Sequence, residues 1–275
     1  MKRNVEQITG FIFDLDGCIY SGDRIYNGSV ELLTYLIAEG KDIYFLSNNS
    51  TDREATVRKK LMKMGLPVED ITILVATDFI GEYLLEYHGR AKLQVIGTAE
   101  LKESLTMQGH RIYSLNDDEL CDYVVVGRDP HFNYETLRQC VRAVMNGAKL
   151  IATNLDLYHP GEDGYRVPET GSLVAAIKAV SGVKDVPVVG KPFIYPFRKI
   201  IRQTGNELHR YVMIGDNPYT DVAGANEARL GTIWISHGEK FPEELDFRPN
   251  FVYSSMKELA KDFIPYHQSK EIVQG

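Results

Sequence analysis

The stretch that decides the fold is Gly10–Gly17, GFIFDLDG. Gly10–Leu15, GFIFDL, is a short, mainly apolar run rich in β-formers, and two aspartates, Asp14 and Asp16, with Gly17 mark its end. A continuous apolar run of this length reads as a strand buried on both faces, which is the signature of a parallel sheet covered by helices. Working outward, the chain keeps alternating. Ser29–Glu39 places Val30, Leu33, Leu36 and Ile37 at helical spacing, and Gly40 closes it. Ile43–Leu46 is the next buried strand. Thr51 and Glu54 fit a capping box that opens a helix to Met64. Further strands are expected at Leu93–Ile96, Tyr123–Val126, Lys149–Ala152, Val186–Val189, Tyr211–Ile214 and Thr232–Ile235. Helices are expected at Tyr134–Met145, Leu173–Val180 and Phe197–Thr204. This βαβα order implies an α/β fold with a Rossmann-like parallel sheet.

Such sheets bind ligands just outside the carboxyl ends of their strands, so the residues that follow each strand carry the chemistry. Asp14 and Asp16 follow the first strand. Two carboxylates so close repel unless a cation or proton intervenes. Ser47, Asn48, Asn49 and Ser50 follow the second, just before a helix start, where N–H groups favour an anion. Gly190-Lys191-Pro192 follows Val186–Val189, and a lysine there can act as a point charge on phosphate. It is not a Walker A loop, because Asp185 stands where the first glycine belongs and Pro192 where Ser or Thr belongs. Asp216 and Asp221, in GDNPYTD, follow Tyr211–Ile214, with Asp221 placed to cap the next helix. Each motif alone also reads as an ordinary loop or cap. Converging, they supply acidic ligands for a hard cation such as Mg²⁺ and a hydroxyl, amides and lysine for phosphate oxygens. A carboxylate beside the metal is then a candidate nucleophile.

Composition narrows the classes. The chain has 275 residues, enough for two domains. Hydrophobic residues at 44% and charged residues at 25% are globular values and exclude a disordered or fibrous chain. Lys and Arg number 31 against 38 Asp and Glu, and the resulting net charge of −7 disfavours nucleic acid and anionic membranes as partners. Three cysteines without a CxxC pair read as reduced thiols, and no signal peptide or long apolar run is visible. A cytoplasmic location is expected. Met64–Asp78 and Ser181–Gly190 are the candidate domain boundaries.

The set FDLDG, LSNNS, GKP and GDNPYTD, in that order, resembles the haloacid dehalogenase superfamily of Mg²⁺-dependent phosphatases. The long interval from Ser47 to Lys191 is similar to the branch with a large α/β cap between the second and third motifs, the NagD-like and p-nitrophenylphosphatase-like enzymes. ATNLDLYHPGEDGYRVPETGSL and RPNFVYSSMKEL are similar to that branch as well. The resemblance implies a discontinuous catalytic core, residues 1–77 and 186–275, and an inserted cap, residues 78–185. It implies hydrolysis of a phosphomonoester of a small metabolite, a sugar phosphate, nucleoside monophosphate or similar. Asp14 is then the nucleophile and a Mg²⁺ ligand. Asp16 is the acid and base, and its backbone carbonyl also binds Mg²⁺. Ser47 and Asn48 hold the phosphoryl oxygens, Lys191 neutralises them, and Asp216 completes the protein ligands. Asp221 and Asn217 orient the surroundings of the metal.

In this branch the cap reads the leaving group, which points to the loop with Tyr158, His159, Glu162, Asp163 and Arg166. His159 and Arg166 are the expected substrate contacts. The chain departs from the family at Cys18, which exposes the site to oxidants if the thiol is reachable, and at Glu169, where a glycine is common. His131 and His237 read as surface residues. The 16 tyrosines leave room for an aromatic dimer contact on the cap. Three other readings share parts of the pattern: a hydrolytic dehalogenase, a phospho-accepting signalling module and a non-catalytic binding protein. The first needs neither Asp16 nor the Asp216/Asp221 pair. The second does not need an acid/base beside the nucleophile, and the third is disfavoured by every motif residue being intact.

Overall fold

The structure is a computed structural model and describes residues 8–117, 119–160, 165–203 and 210–265. The chain divides into two compact units. One comprises the described parts of residues 1–47, 58–74 and 191–275, and the other those of 48–57 and 75–190. The crossings thus fall near residues 75 and 190, with a short excursion of the Ser47 loop into the second unit.

The first unit is built on a six-stranded sheet. Its strands are β1 (Gly10–Phe13), β4 (Asp42–Ser47), β5 (Thr72–Val75), β12 (Tyr211–Gly215), β13 (Gly231–Ile235) and β14 (Phe251–Tyr253), in the order β14-β13-β12-β1-β4-β5. β1 pairs in parallel with both β4 and β12, and Phe13 stands level with Phe45 on one side and Ile214 on the other. The chain therefore winds outward from β1 in both directions, which makes the end of β1 the switch point of the sheet. All four residues of β1 are buried. Phe11 and Phe13 are fully buried and meet Phe263 and Phe45 edge-on. Burial of each ring stabilises the fold by roughly 1.5–3 kcal/mol. A two-stranded ribbon, β2 (Tyr20–Ser21) with β3 (Arg24–Ile25), follows the Asp14 loop. The helix Ser29–Ala38 buries Leu32, Leu33 and Leu36, and Gly40 ends it at a φ of 64°.

The second unit has a four-stranded parallel sheet of β6 (Lys92–Ile96), β7 (Arg111–Tyr113), β8 (Tyr123–Val126) and β9 (Lys149–Ala152), in the order β7-β6-β8-β9. Val124, Val126, Cys140, Leu150 and Ile177 form its core between sheet and helices. The helices Tyr134–Met145 and Thr170–Ser181 cover it. A short antiparallel ribbon, β10 (Tyr158–Pro160) with β11 (Arg166–Pro168), leads into the second of these. Among the described residues, no helix is long and apolar enough to cross a membrane.

Four local expectations are corrected. Val186–Val189 is not a strand of the core sheet. It makes a single parallel bridge from Val188 to Ala152 of β9, within the second unit. Pro187 has no N–H to extend a ladder, and only its carbonyl is used, by Ala152 N–H at 3.0 Å. Thr51 is not a helix cap. The helix begins at Glu54, and its first free N–H groups, on Arg53 and Glu54, donate to the carboxylates of Glu100 (2.6 Å) and Asp78 (2.7 Å). Carboxylates brought in from elsewhere in the chain displaced the local box, and they also occupy the N-terminus expected to hold an anion. Asp221 does not cap a helix either. It lies inside a π-helical turn, Pro218–Val222, whose cap is Asn217. The helix expected over Phe197–Thr204 runs from Ile194 to Gln203, and Thr204 lies outside the described residues.

Candidate active site

Asp14 is the first residue beyond β1, and its N–H donates to the carbonyl of Ile214 on β12 at 2.9 Å. Asp216 is the first residue beyond β12. Its carbonyl accepts the Trp234 indole N–H at 2.7 Å, which ties the loop to β13. Because β1 and β12 are parallel and in register, the two aspartates leave the same edge of the sheet side by side. Asp221 returns to that edge one helical turn later. Carboxylate oxygens of Asp14, Asp216 and Asp221 all lie within 4.8 Å of one another.

Lys191 is buried among them. Its Nζ donates to Asp14 Oδ1 at 2.5 Å and to Asp221 Oδ1 at 2.7 Å. The lysine side chain is 2% exposed and that of Asp221 1%, so water screens this contact little. Asp221 Oδ2 accepts the Asn217 N–H at 3.1 Å, so both its oxygens are engaged by protein. Burial opposes the charge on Lys191, but the carboxylates of Asp14 and Asp221 outweigh it and hold its pKa above the ordinary lysine value. Burial and the neighbouring carboxylates push Asp216 well above the usual carboxylate range. Burial, with Asp14 beside it, lifts Asp221 to about 7 despite the lysine. Burial leads in both aspartates, and with three carboxylates sharing one ammonium the charge of Asp14 adds to it.

That imbalance is what a hard divalent cation corrects, and an all-oxygen donor set suits Mg²⁺. The residues present therefore fit the metal. Asp14 and Asp216 have the carboxylates to hold it, whereas Asp221 is committed to Lys191 and the Asn217 N–H.

Two glycines keep the site compact. A Cβ on Gly17, whose φ is 89°, would strike the Asp216 carboxylate, and one on Gly215 would strike that of Asp221. His237, expected at the surface, is exposed but donates from Nε2 to the Gly17 carbonyl at 2.7 Å and so braces the Asp14 loop. Cys18 is fully buried, with its thiol 3.5 Å from the Ile214 carbonyl, and burial pushes its pKa well up. The buried thiol is out of reach of an external oxidant, contrary to the sensitivity expected for an accessible cysteine.

The other expected residues are placed as follows. Asp16 is exposed beside this cluster, and its carboxylate is not one of the three grouped oxygens. Ser47, buried, ends β4 two residues beyond the partner of Phe13 and so shares the sheet edge with Asp14. Asn48 belongs to the second unit. Its side chain donates to Asp156 at 3.0 Å, and its carbonyl accepts from Asn154 at 2.8 Å. His159 and Arg166 also belong to the second unit, on the β10–β11 ribbon. Register puts them on opposite faces. His159 stands level with Val167, whereas Arg166 stands level with Pro160 and lies 4.0 Å over the Tyr158 ring. Glu162 and Asp163 lie outside the described residues. The sequence reading assigned no role to Arg128, which pairs with Glu169 at 3.3 Å. No local pattern links two residues so far apart in the chain.

Comparisons with known proteins agree with this architecture. Residues 11–111 match the haloacid dehalogenase-like hydrolase family, and residues 188–259 match the HAD-hydrolase-like family. The chain belongs to the haloacid dehalogenase-like hydrolases. Within them it falls in the NagD and p-nitrophenylphosphatase branch and is an enzyme of the phosphatase class. A 4-nitrophenylphosphatase of Thermotoga maritima superposes with a TM-score of 0.86 at 33% identity, over 95% of this chain and 99% of that one. NagD of Escherichia coli K-12 gives a TM-score of 0.80 at 27% identity, over 91% and 98%. An acid sugar phosphatase of Staphylococcus epidermidis is 31% identical over 252 residues, 90% of this chain and 94% of its own length. The sugar-phosphatase AraL of Bacillus subtilis is 28% identical over 253 residues, 92% of each chain.

Proposed function

We propose that the chain is a Mg²⁺-dependent phosphomonoesterase that hydrolyses a small sugar phosphate through an aspartyl phosphate on Asp14. The observation that carries this reading is the buried lysine between Asp14 and Asp221 with Asp216 alongside. A carboxylate so placed is held at the carboxyl edge of the sheet with its charge compensated. It can approach a phosphate dianion without prohibitive repulsion.

Asp14, Asp216 and the backbone carbonyl of Asp16 would hold the metal. When bound, Mg²⁺ supplies charge neutralisation to the phosphoryl oxygens. The Asp14 carboxylate attacks phosphorus and forms a new O–P bond as the ester O–P bond breaks. Asp16, in its acid form, donates a proton to the departing alkoxide oxygen. Its carboxylate then takes a proton from water, whose oxygen attacks phosphorus and breaks the bond to Asp14. Phosphate leaves, Asp14 is regenerated as carboxylate, and Asp16 again carries its proton. Ser47 and the Asn48 N–H steady the phosphoryl oxygens, and Lys191 offsets their charge. The second unit reads the leaving group, with His159 and Arg166 as its candidate contacts. The names of the acid sugar phosphatases and AraL favour a sugar over a nucleotide. A setting in the cytoplasm with reduced thiols accords with three free cysteines.

Phosphate release from a panel of sugar phosphates, nucleotides and aryl phosphates tests this. Release is expected with Mg²⁺, is abolished by EDTA and returns with added Mg²⁺, and sugar phosphates show the highest kcat/KM. Undiminished release in EDTA would reject the metal, and a preference for nucleotides would reject the substrate class.

A further inference from the structure

His237 and Gly238 form the corner of the loop between β13 and β14. Their φ angles are 50° and 87°, and the Glu239 N–H donates to the Ser236 carbonyl at 2.8 Å, which closes a tight turn. Turns with positive φ at both central residues favour glycine, asparagine and aspartate, so the histidine has another reason to stand there. Its imidazole supplies one. Nε2 lies 2.7 Å from the Gly17 carbonyl. A carbonyl only accepts, so Nε2 carries the proton, in the neutral and the protonated ring alike. The Tyr26 ring packs on the imidazole, with centroids 4.9 Å apart. Tyr26 is itself anchored. Its N–H donates to the Ile19 carbonyl at 3.0 Å, and its carbonyl accepts the Ser29 N–H at 3.1 Å. All of these residues belong to the first unit.

The loop that carries His237 has a firm base. The Ser236 N–H donates to the Tyr253 carbonyl of β14 at 2.8 Å. Phe241 meets Trp234 edge-on at 5.2 Å, and the Tyr219 hydroxyl donates to Glu244. The loop is thus tied both to β14 and to the turn that follows Asp216. What His237 holds is the residue after Asp16. The peptide before Gly17 is fixed by the Gly17 N–H, which donates to the Tyr20 carbonyl at 2.8 Å. The peptide after it has, within the turn, a 3.3 Å bond from the Cys18 N–H to the Leu15 carbonyl, an oxygen that Ile19 and Tyr20 share. The 2.7 Å bond from His237 is the shorter restraint on that peptide, next to a glycine whose backbone is free to turn. Asp16 is exposed, and an exposed side chain is placed chiefly by its own backbone.

We propose that His237 is a positioning residue that fixes the turn of Asp16, so that the Asp16 carboxyl meets the oxygen of the leaving alcohol. This rests on the phosphatase reading above and deepens it, because it says which esters need the bond. A strongly basic alkoxide leaves only with the proton that Asp16 delivers, whereas p-nitrophenolate leaves without it. A small displacement of the acid therefore slows alkyl esters far more than aryl ones.

The test compares His237→Phe and His237→Gln with wild type on a hexose phosphate and on p-nitrophenyl phosphate, after melting temperatures confirm that each variant is folded. Phenylalanine keeps a ring against Tyr26 and removes the donor, whereas glutamine keeps a side-chain N–H at similar reach. The parameter to read is kcat/KM, which covers the steps up to departure of the alcohol. Phenylalanine is expected to lower it about 10–100-fold on the hexose phosphate, and on p-nitrophenyl phosphate at least about fivefold less than that. Glutamine should restore most of the difference. In an Asp16→Asn background, His237→Phe should change kcat/KM by less than about twofold on either ester, because the acid it positions is gone. Equal losses on both esters, an undiminished rate on the hexose phosphate, or a loss that persists in full in Asp16→Asn would overturn the proposal and leave the phosphatase reading standing. If the wild type releases phosphate from neither ester, that reading fails and the proposal fails with it.

Discussion

Asp14→Asn is expected to lower kcat by about 10⁴-fold or more while leaving the protein folded. The amide keeps the size and polarity of the carboxylate but cannot form a stable acyl phosphate by attack. Removal of a nucleophile that works as a unit with its neighbours costs nearly the whole of catalysis. The fold should survive for an electrostatic reason. Asp14 is one of three clustered carboxylates that share Lys191; burial raises Asp216 and Asp221, and the charge of Asp14 adds to that rise. Asparagine removes that charge, and Lys191 keeps its 2.7 Å bond to Asp221. Without metal, the melting temperature of the variant should therefore equal or exceed that of wild type. A folded Asp14→Asn enzyme with appreciable turnover would reject Asp14 as the nucleophile.

Lys191→Met should damage both activity and stability. The side chain is buried and donates to two carboxylates. Breaking a buried ion pair by removal of one partner costs about 3–5 kcal/mol, because the other charges stay buried. The variant should also lose about 10²–10³-fold in kcat/KM, the scale of one preorganised charge or donor at a transition state. Denaturant unfolding with and without Mg²⁺ separates the causes. Added Mg²⁺ should recover much of the lost stability, because it offsets the same carboxylates, but little of the activity. A variant as stable as wild type in EDTA would show that Lys191 does not compensate the cluster.

The residues at the centre of this account were legible because their signals are local. Asp14, Asp16, Ser47 and Asp216 each follow or end an apolar strand, and a parallel sheet gathers its strand ends on one edge. The same logic misread Val186–Val189. The apolar residues were there, but Pro187 limits the pairing to one bridge, and the partner is β9 rather than the core sheet. Lys191 reached the cluster all the same. The strands β5 and β14 passed unread because Thr72–Val75 lies inside the Met64–Asp78 stretch read as a domain boundary and Phe251–Tyr253 is only three residues long. Thr51 failed as a cap because Glu100 and Asp78, remote in sequence, take the first N–H groups of the helix, and Asp221 because its carboxylate turns to Lys191 and the Asn217 N–H.

Glu169 illustrates the limit most clearly. In sequence it is a departure from a common glycine, and nothing nearby names its partners. The ten-residue separation from His159, whose Nδ1 lies 2.7 Å from its carboxylate, gains meaning only when β10 and β11 pair antiparallel. The 41-residue separation from Arg128 needs the whole α/β unit to be folded. The sequence also groups His159 with Arg166, and only register shows that a ribbon divides them.

The most direct test of the central claim is a rapid acid quench of the enzyme during turnover of a labelled phosphate ester, followed by peptide mapping. The account predicts a phosphoryl group on the peptide that contains Asp14, present with Mg²⁺ and absent in EDTA and in Asp14→Asn. Phosphate release at an undiminished rate with no label on that peptide, or label that persists in Asp14→Asn, would contradict it.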